Sequence, residues 1–386
     1  MRTATLKGWL WVHKWSSLVS MTFLLMLCIT GLPLIFKDEI HHWLDPHPEL
    51  GEVAPGTPRP TLQNLAEQAL ASRPVGHVVT AVSFEEEEPD VLLVSTAATL
   101  DPPPNAPWPG QHTHAFDQRD GRLVLQEPPA REGFMYVMQR LHVDLFLYEP
   151  GMLFLGVMGL VMFAAIVSGV MVYAPFMRKL DFATVRAARG PRVLWLDLHN
   201  LLGIVTLMWL SVVTLTGVLN TLAGQVARSW QANELGPMVA LYKHEPLVMQ
   251  RAPVDAVIAT ARQAAPEHRL ISIFYPGRTF SSPRHFTVVY LGNTPVTSRL
   301  LTLALIDAKT AELKGFVPIP WYAKTLFLSR PLHFGDYGSL PLKIVWMLLT
   351  LMTIVVSGSG IYLWLRKPAG RKAKVRSPTG ANEAVA

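Results

Sequence analysis

Four histidines occupy matched positions in the two halves of this 386-residue sequence, and imidazole is a common ligand for metal ions. Two of them lie 18 residues before the glycine of a Thr-Gly pair. The other two are each followed by a proline after eight residues and by the serine of a Ser-Gly pair after 26 residues. The first two are His13 and His199, and the other two are His142 and His333. Coincident spacings of this kind predict that the two halves are repeats of one another.

Four apolar stretches must position these histidines. Each runs for 20 residues or more without Asp, Glu, Lys or Arg, and half of the whole chain is hydrophobic. The stretches are 15–36, 151–177, 198–227 and 344–365. A helix of about 20 apolar residues spans the hydrocarbon core of a bilayer, so the sequence predicts four transmembrane helices. The first has no small-residue cleavage site, which indicates a retained helix rather than a signal peptide.

Lys and Arg residues predict the orientation of these helices. They are concentrated before the first helix, between the second and third, and after the fourth. The positive-inside rule therefore places both termini in the cytoplasm of a bacterial inner-membrane protein. The net charge of +6 is explained by this topology and does not indicate nucleic-acid binding. The single cysteine, Cys28, excludes an intramolecular disulfide and covalent haem attachment through a Cys-x-x-Cys-His motif.

The two long segments between the helices have similar lengths and similar patterns. Each combines an amphipathic helix with alternating strand-like runs and a hairpin, which turns near Asp117 in the first segment and Asp307 in the second. The predicted fold class is an integral membrane protein: an all-α four-helix transmembrane bundle of two tandem repeats, each with a small α+β periplasmic module. The predicted segments are helix 1 (1–36), module 1 (37–150), helix 2 (151–177), a cytoplasmic loop (178–193), helix 3 (194–223), module 2 (224–340), helix 4 (341–365) and a cytoplasmic tail (366–386).

The positions of the histidines predict two haem sites. Ionisable side chains at membrane depth are costly and tend to mark function, and helical bundles build cofactor sites from side chains on facing helices. The repeat pairs His13 with His199 near the cytoplasm and His142 with His333 near the periplasm, so each pair could supply the axial ligands of one b-type haem iron. Haem propionates need cations, and four basic residues lie near the proposed ligands in the sequence: Lys14, Arg140, Arg192 and Arg330.

Other interpretations of the same residues remain open. Interfacial histidines can simply bond water or lipid headgroups, and zinc is a further possible ligand, although no acidic or cysteine partner recurs with the four. Glycines in the membrane segments either allow close helix packing or leave room for a porphyrin face.

Several motifs resemble those of the PepSY-associated transmembrane family. They are the run Leu141-His142-Val143-Asp144-Leu145-Phe146, the pair Ser168-Gly169, and the Trp-x-x-x-His openings at Trp9 and Trp195. The resemblance extends from about residue 5 to 368, and both long segments resemble PepSY domains. Within the family, the layout looks like the ferric-siderophore reductases of Gram-negative inner membranes, the ferrioxamine reductase (FoxB) type. This resemblance implies two haem b groups on His13, His142, His199 and His333, and reduction of a periplasmic ferric siderophore that releases ferrous iron.

The function expected from these features is that of a haem-dependent oxidoreductase. Electrons would enter at the His13–His199 site and leave at the His142–His333 site, with no catalytic acid or base required. The sequence has no Gly-x-Gly-x-x-Gly motif, so the electron donor is a quinol or a separate cytoplasmic reductase. The partners expected are membrane lipid and a ferric siderophore such as ferrioxamine, and no nucleic acid. The alternatives are a PepSY-type binding or regulatory membrane protein without a redox cofactor, and a siderophore permease.

Overall fold

The apolar stretches form long helices, and the polar segments between them form short helices and a sheet. The computed structural model describes residues 3–44, 50–84, 88–103, 106, 108–125, 133–177, 181–294 and 297–366. In chain order the helices are α1 (Thr3–Ile35), α2 (Lys37–Leu44), α3 (Leu62–Ala71), α4 (Phe134–Val143), α5 (Glu149–Met177), α6 (Pro191–Thr221), α7 (Ala223–Trp230), α8 (Gly236–Val239), α9 (Val254–Ala264), α10 (Trp321–Phe334) and α11 (Ser339–Leu365). The strands are β1 (Val78–Phe84), β2 (Val91–Ala97), β3 (His112–Asp117), β4 (Leu123–Leu125), β5 (His268–Phe274), β6 (His285–Gly292), β7 (Leu301–Asp307) and β8 (Leu313–Val317).

Four helices, α1, α5, α6 and α11, are long and apolar enough to cross a membrane, as the sequence predicted. They pack in a ring in which α1 and α6 both contact α5 and α11. Small residues bring the helices together: a Cβ added to Gly159 of α5 would lie 2.7 Å from the side chain of Val218 in α6. The short helix α4 packs against α1, and α10 packs against α6. The helix bundle therefore has two additional helices beside its four long ones.

The strands of both long segments join in one antiparallel sheet of eight strands, in the order β4-β3-β2-β1-β5-β6-β7-β8. The sequence predicted one α+β module in each segment. The junction is the pairing of β1 with β5, in which Val82 lies opposite Ile273 and the hydroxyls of Ser83 and Ser272 are 2.8 Å apart. The two segments therefore form a single sheet region rather than two independent modules.

Helices α3 and α9 cover one face of this sheet. A side chain from each helix accepts hydrogen bonds from the N-terminal N–H groups of the other. Leu65 of α3 and Val257 of α9 belong to the same buried cluster. The Asp255 carboxylate of α9 accepts hydrogen bonds from the backbone N–H groups of Leu62 and Gln63, at 2.9 and 3.0 Å. The Gln63 side chain in turn accepts one from the N–H of Val254. These bonds satisfy N–H groups that the first turn of a helix leaves unpaired.

Buried aspartates organise the two predicted hairpins, β3–β4 and β7–β8. Asp117 accepts hydrogen bonds from the guanidinium of Arg119, which lower the pKa of this carboxyl. For Asp307, burial alone would raise the pKa, but bonds from the N–H of Lys309 and the guanidinium of Arg284 lower it. Both turns are therefore held by an ionised carboxylate at neutral pH.

Candidate functional site

The structure brings the four histidines together as two pairs. The ring centres of His13 and His199 are 6.4 Å apart, and the ring planes are inclined by 69°. Those of His142 and His333 are 6.2 Å apart and inclined by 62°. The pairs are the ones that the sequence spacing predicted, and each joins one residue from either half of the chain.

In the His13–His199 pair, each ring is held by a neighbouring helix. The Nδ1 atom of His13 lies 2.9 Å from the carbonyl oxygen of Ala165, and that of His199 lies 3.0 Å from the carbonyl oxygen of Val356. A carbonyl only accepts hydrogen bonds, so Nδ1 carries the proton in both rings. The lone pair is then on Nε2, the tautomer that a metal-binding histidine uses when its other nitrogen is anchored.

The His142–His333 pair is anchored in the same way. Nδ1 of His333 donates to the carbonyl oxygen of Val213 at 2.9 Å. Nδ1 of His142 lies 3.0 Å from the hydroxyl of Thr30, which itself donates to the carbonyl oxygen of Met26 and so accepts from the imidazole. Among the residues that the structure describes, none of the four Nε2 atoms has a hydrogen-bond partner. Each pair therefore offers two imidazole nitrogens to a ligand.

Each imidazole ring packs against a glycine of another helix, and we call these four residues the seat glycines. A Cβ added to Gly31, Gly169 or Gly217 would lie 3.0 Å from the Cε1 atom of His142, His13 or His333, respectively, and one on Gly360 would lie 3.5 Å from that of His199. The sequence indicated helix packing or porphyrin space for such glycines and did not indicate this role. The sequence feature that pointed to these glycines was the constant spacing between His and Gly along one helix. In the structure, however, each histidine packs against a glycine of a different helix.

The residues present fit a bis-histidine haem. Two imidazoles bound to opposite faces of one metal ion have nitrogens ~4 Å apart, so their ring centres are about 6 Å apart. The separations of 6.4 and 6.2 Å match this value. A Cβ added to Gly203, one turn from His199, would meet no atom within 4 Å, so open space adjoins this pair. Within the described part of the chain, no group of three or more His, Cys, Asp or Glu residues is placed to hold a metal ion.

Three of the four predicted propionate partners have other contacts. Lys14 lies over the ring of the tryptophan that follows it, 4.8 Å from the ring centre. Arg140 forms an ion pair with Asp144 at 2.9 Å. The Nε atom of Arg192 donates to the carbonyl oxygen of Arg366 at 2.8 Å. Each of the three cations is therefore already in contact with another group of the protein.

Arg330 differs from the other three cations. It precedes His333 by three residues in α10, and no other described residue forms an ion pair or hydrogen bond with it. Its side chain reaches the surface, yet desolvation by the surrounding protein lowers its pKa. A guanidinium in such a position can accept an anionic partner without breaking an existing bond.

A strained turn links α4, which carries His142, to the membrane helix α5. Leu145, Phe146 and Tyr148 all have positive φ angles, of 54°, 62° and 56°. Non-glycine residues rarely adopt this left-handed conformation, and Asp144 supports it by accepting a hydrogen bond from the N–H of Phe146 at 3.0 Å. The turn fixes where α4 lies relative to α5, and no sequence pattern predicted this strain.

Comparison with known proteins gives two findings. A family model described as PepSY-associated TM region matches residues 10–367, which include all four histidines. A Pseudomonas aeruginosa protein described as uncharacterized is 25% identical over 268 residues, a match that covers 62% of this chain. The chain spans 66% of that relative's length.

Proposed function

The chain belongs to the PepSY-associated TM region family, and we propose that it is a membrane-embedded oxidoreductase that holds two haem b groups. His13 and His199 would hold one haem, and His142 and His333 would hold the other. The observation that carries the proposal is the combination of matched ring separations with Nδ1 atoms anchored on neighbouring helices. Four histidines that served only as interfacial side chains would not need this repeated anchoring.

The residues of the chain would tune and hold the cofactor. The Nδ1 hydrogen bonds fix the orientation of each ring and increase the basicity of Nε2. When bound, haem supplies an iron centre that is reduced and oxidised by one electron. Arg330 offers a positive charge to a propionate of the His142–His333 site.

We also propose that the two halves are tandem repeats. The contact of His13 with Gly169 recurs as that of His199 with Gly360, and the contact of His142 with Gly31 recurs as that of His333 with Gly217. The residues that α1 contributes to these contacts precede their counterparts in α6 by 186 positions. The histidines and glycines of the other helices precede their counterparts by 191 positions. Equal offsets in the sequence therefore accompany equal contacts, which supports an origin of both halves from one unit.

The proposed reaction is the transfer of electrons across the bacterial inner membrane to a periplasmic ferric siderophore. With both termini in the cytoplasm, the His13–His199 site would receive electrons from a quinol or a cytoplasmic reductase. The His142–His333 site would pass one electron to each ferric ion, and the ferrous ion would leave its chelator. The support for this acceptor is the resemblance of the chain to ferrioxamine reductases of the FoxB type.

The absorption spectrum of the detergent-purified protein, oxidised and dithionite-reduced, tests the cofactor. We expect sharp b-type bands and two haem groups per chain, because each histidine pair offers two imidazole nitrogens that would hold one haem. A protein that stays colourless after expression with added haem would contradict the proposal. The same result would favour a binding or regulatory protein, or a siderophore permease.

A further inference from the structure

Two tryptophans lie inside the bundle between the two histidine pairs. Trp209 of α6 and Trp346 of α11 make an edge-to-face contact, with ring centres 6.3 Å apart and planes inclined by 88°. Trp209 follows His199 by 10 residues and precedes Gly217, the seat of His333, by eight, so it lies ~15 Å and ~12 Å from these residues along the helix axis. The tryptophan contact is therefore near the midpoint between the two sites.

The distance between the sites leaves room for an intermediate on the electron path. His199 and Gly217 are 18 residues apart on one helix, as are His13 and Gly31, which corresponds to ~27 Å between the two histidine pairs. Electron tunnelling becomes exponentially slower with distance. Trp346 shortens the gap at one end, since its ring packs on Gly335, two residues after His333, where an added Cβ would lie 3.0 Å from the ring.

Packing alone does not explain why these residues are tryptophans. Phe23 of α1, which precedes Trp209 by the same 186 residues that separate His13 from His199, makes an edge-to-face contact with Phe154 of α5 at 5.0 Å. Hydrocarbon rings therefore suffice at that helix contact. The indole N–H groups of Trp209 and Trp346 are buried and have no hydrogen-bond partner among the described residues. A buried N–H without an acceptor costs free energy, most of all in a membrane.

We infer that Trp209 and Trp346 form the aromatic path by which electrons pass between the two histidine pairs, an inference that rests on the proposed function. One electron at a time leaves a reduced site and reaches an oxidised site. No bond forms or breaks, no proton moves, and the indole rings are unchanged afterwards. Phe154 is 40% exposed on the outside of the bundle, so the phenylalanine contact lies off this path.

The test measures the electron step between the sites in Trp209→Leu and Trp346→Leu. The proteins are reconstituted in vesicles, dithionite is added outside only, and stopped-flow absorbance follows reduction of the near and the far site as two phases. Haem content and midpoint potentials are measured first. These measurements show whether a substitution changes haem binding or the driving force for electron transfer. Trp209→Phe and Trp346→Phe keep an aromatic ring, and Phe23→Leu is the matched control.

We expect the second phase to slow by an order of magnitude or more in both leucine variants. The phenylalanine variants should slow less, and Phe23→Leu should match the wild type. Unchanged second phases in the leucine variants, with haem content preserved, would overturn the inference while leaving the proposed function intact. Equal slowing in Phe23→Leu would also overturn it, because the effect would then reflect packing. Absence of haem from the wild-type protein would instead overturn the proposed function itself.

Discussion

At the scale of single residues, the candidate site depends on contacts between histidines and small groups. Each imidazole is bonded through Nδ1 and rests on a glycine of another helix, so both its tautomer and its position are set by neighbours. Glycine leaves space for the ring at Gly31, Gly169 and Gly217, where an added Cβ would lie only 3.0 Å from the Cε1 atom. These contacts use Nδ1 and leave the Nε2 atom of each ring without a hydrogen-bond partner among the described residues.

Replacing a seat glycine should disturb one site without unfolding the bundle. In Gly217→Ala, the new Cβ would lie 3.0 Å from the Cε1 atom of His333, so the ring must move by a few tenths of an ångström. We expect a shifted Soret band and weaker haem retention at that site only. The measurement is the spectrum and haem content of the purified variant. Gly8→Ala, where a Cβ meets no atom within 4 Å, is the control, and identical spectra for both variants would refute this role of Gly217.

The charge of Arg330 should affect the redox potential of the nearer site. Removing a cation beside a propionate makes addition of an electron less favourable, so Arg330→Gln should lower the midpoint potential of the His142–His333 site. A spectroscopic redox titration measures this change. Lys14→Gln removes a cation that is exposed beside its neighbouring tryptophan, and we expect it to leave both potentials close to the wild-type values. Equal effects of the two substitutions would argue against a specific role for Arg330.

At the scale of elements, the membrane helices carry the site and the sheet joins the two long segments. Helices α1 and α6 each contribute one histidine and one seat glycine, whereas α4 and α10 bring the other two histidines from outside the long helices. The sheet is continuous because β1 pairs with β5. The relative position of α3 and α9 then depends on that junction and on the capping bonds between them.

The capping carboxylate of Asp255 should stabilise the contact between α3 and α9. Asp255→Ala leaves the N–H groups of Leu62 and Gln63 without their acceptor, at a cost of about 0.5–2 kcal/mol in the free energy of local unfolding. We expect faster amide hydrogen exchange in the first turn of α3, measured by mass spectrometry. Asp255→Asn keeps an acceptor oxygen and should show a smaller change. Unaltered exchange in the alanine variant would mean that the capping bonds do not hold this junction.

At the scale of the whole molecule, the two histidine pairs are separated along the bundle by most of the length of a membrane helix. The His13–His199 pair is near the N-terminal end of α1 and the C-terminal end of α11. The His142–His333 pair is near the sheet region. Under the proposed orientation, electrons enter at one surface of the membrane and leave at the other. The sheet then lies on the side where the acceptor is reduced.

Single histidine substitutions should separate electron supply from electron delivery. We expect His142→Ala and His333→Ala to abolish periplasmic reduction of a ferric chelate in whole cells, because the delivering site loses one of the two histidines that would hold its haem. His13→Ala should stop the same reaction by blocking the supply of electrons. His77→Ala, a loop residue of the sheet region, is the control. Wild-type reduction rates in all three test variants would rule out the proposed route.

The membrane helices and the histidine pairing could be predicted from local patterns. A bilayer of fixed thickness requires about 20 apolar residues in a helix, so the four spans are visible in any window of that length. Helical geometry relates residue spacing to height, so equal His-to-Gly spacings place equivalent groups at equivalent depths. The pairing of His13 with His199, and of His142 with His333, followed from the offset between the two halves.

Other features depended on contacts between residues far apart in the sequence. The pairing of β1 with β5 joins residues almost 200 positions apart, and nothing in either strand alone specifies that partner. Likewise, Lys14, Arg140, Arg192 and Arg330 all lie within seven residues of a proposed histidine ligand, and only the packed structure distinguishes them by their partners. The sequence by itself therefore determined the membrane spans and the depth of each histidine, because these follow from periodicity along one chain segment. The tertiary structure decided the sheet junction, the glycine seats and the cation available to a ligand, because these depend on which surfaces pack together.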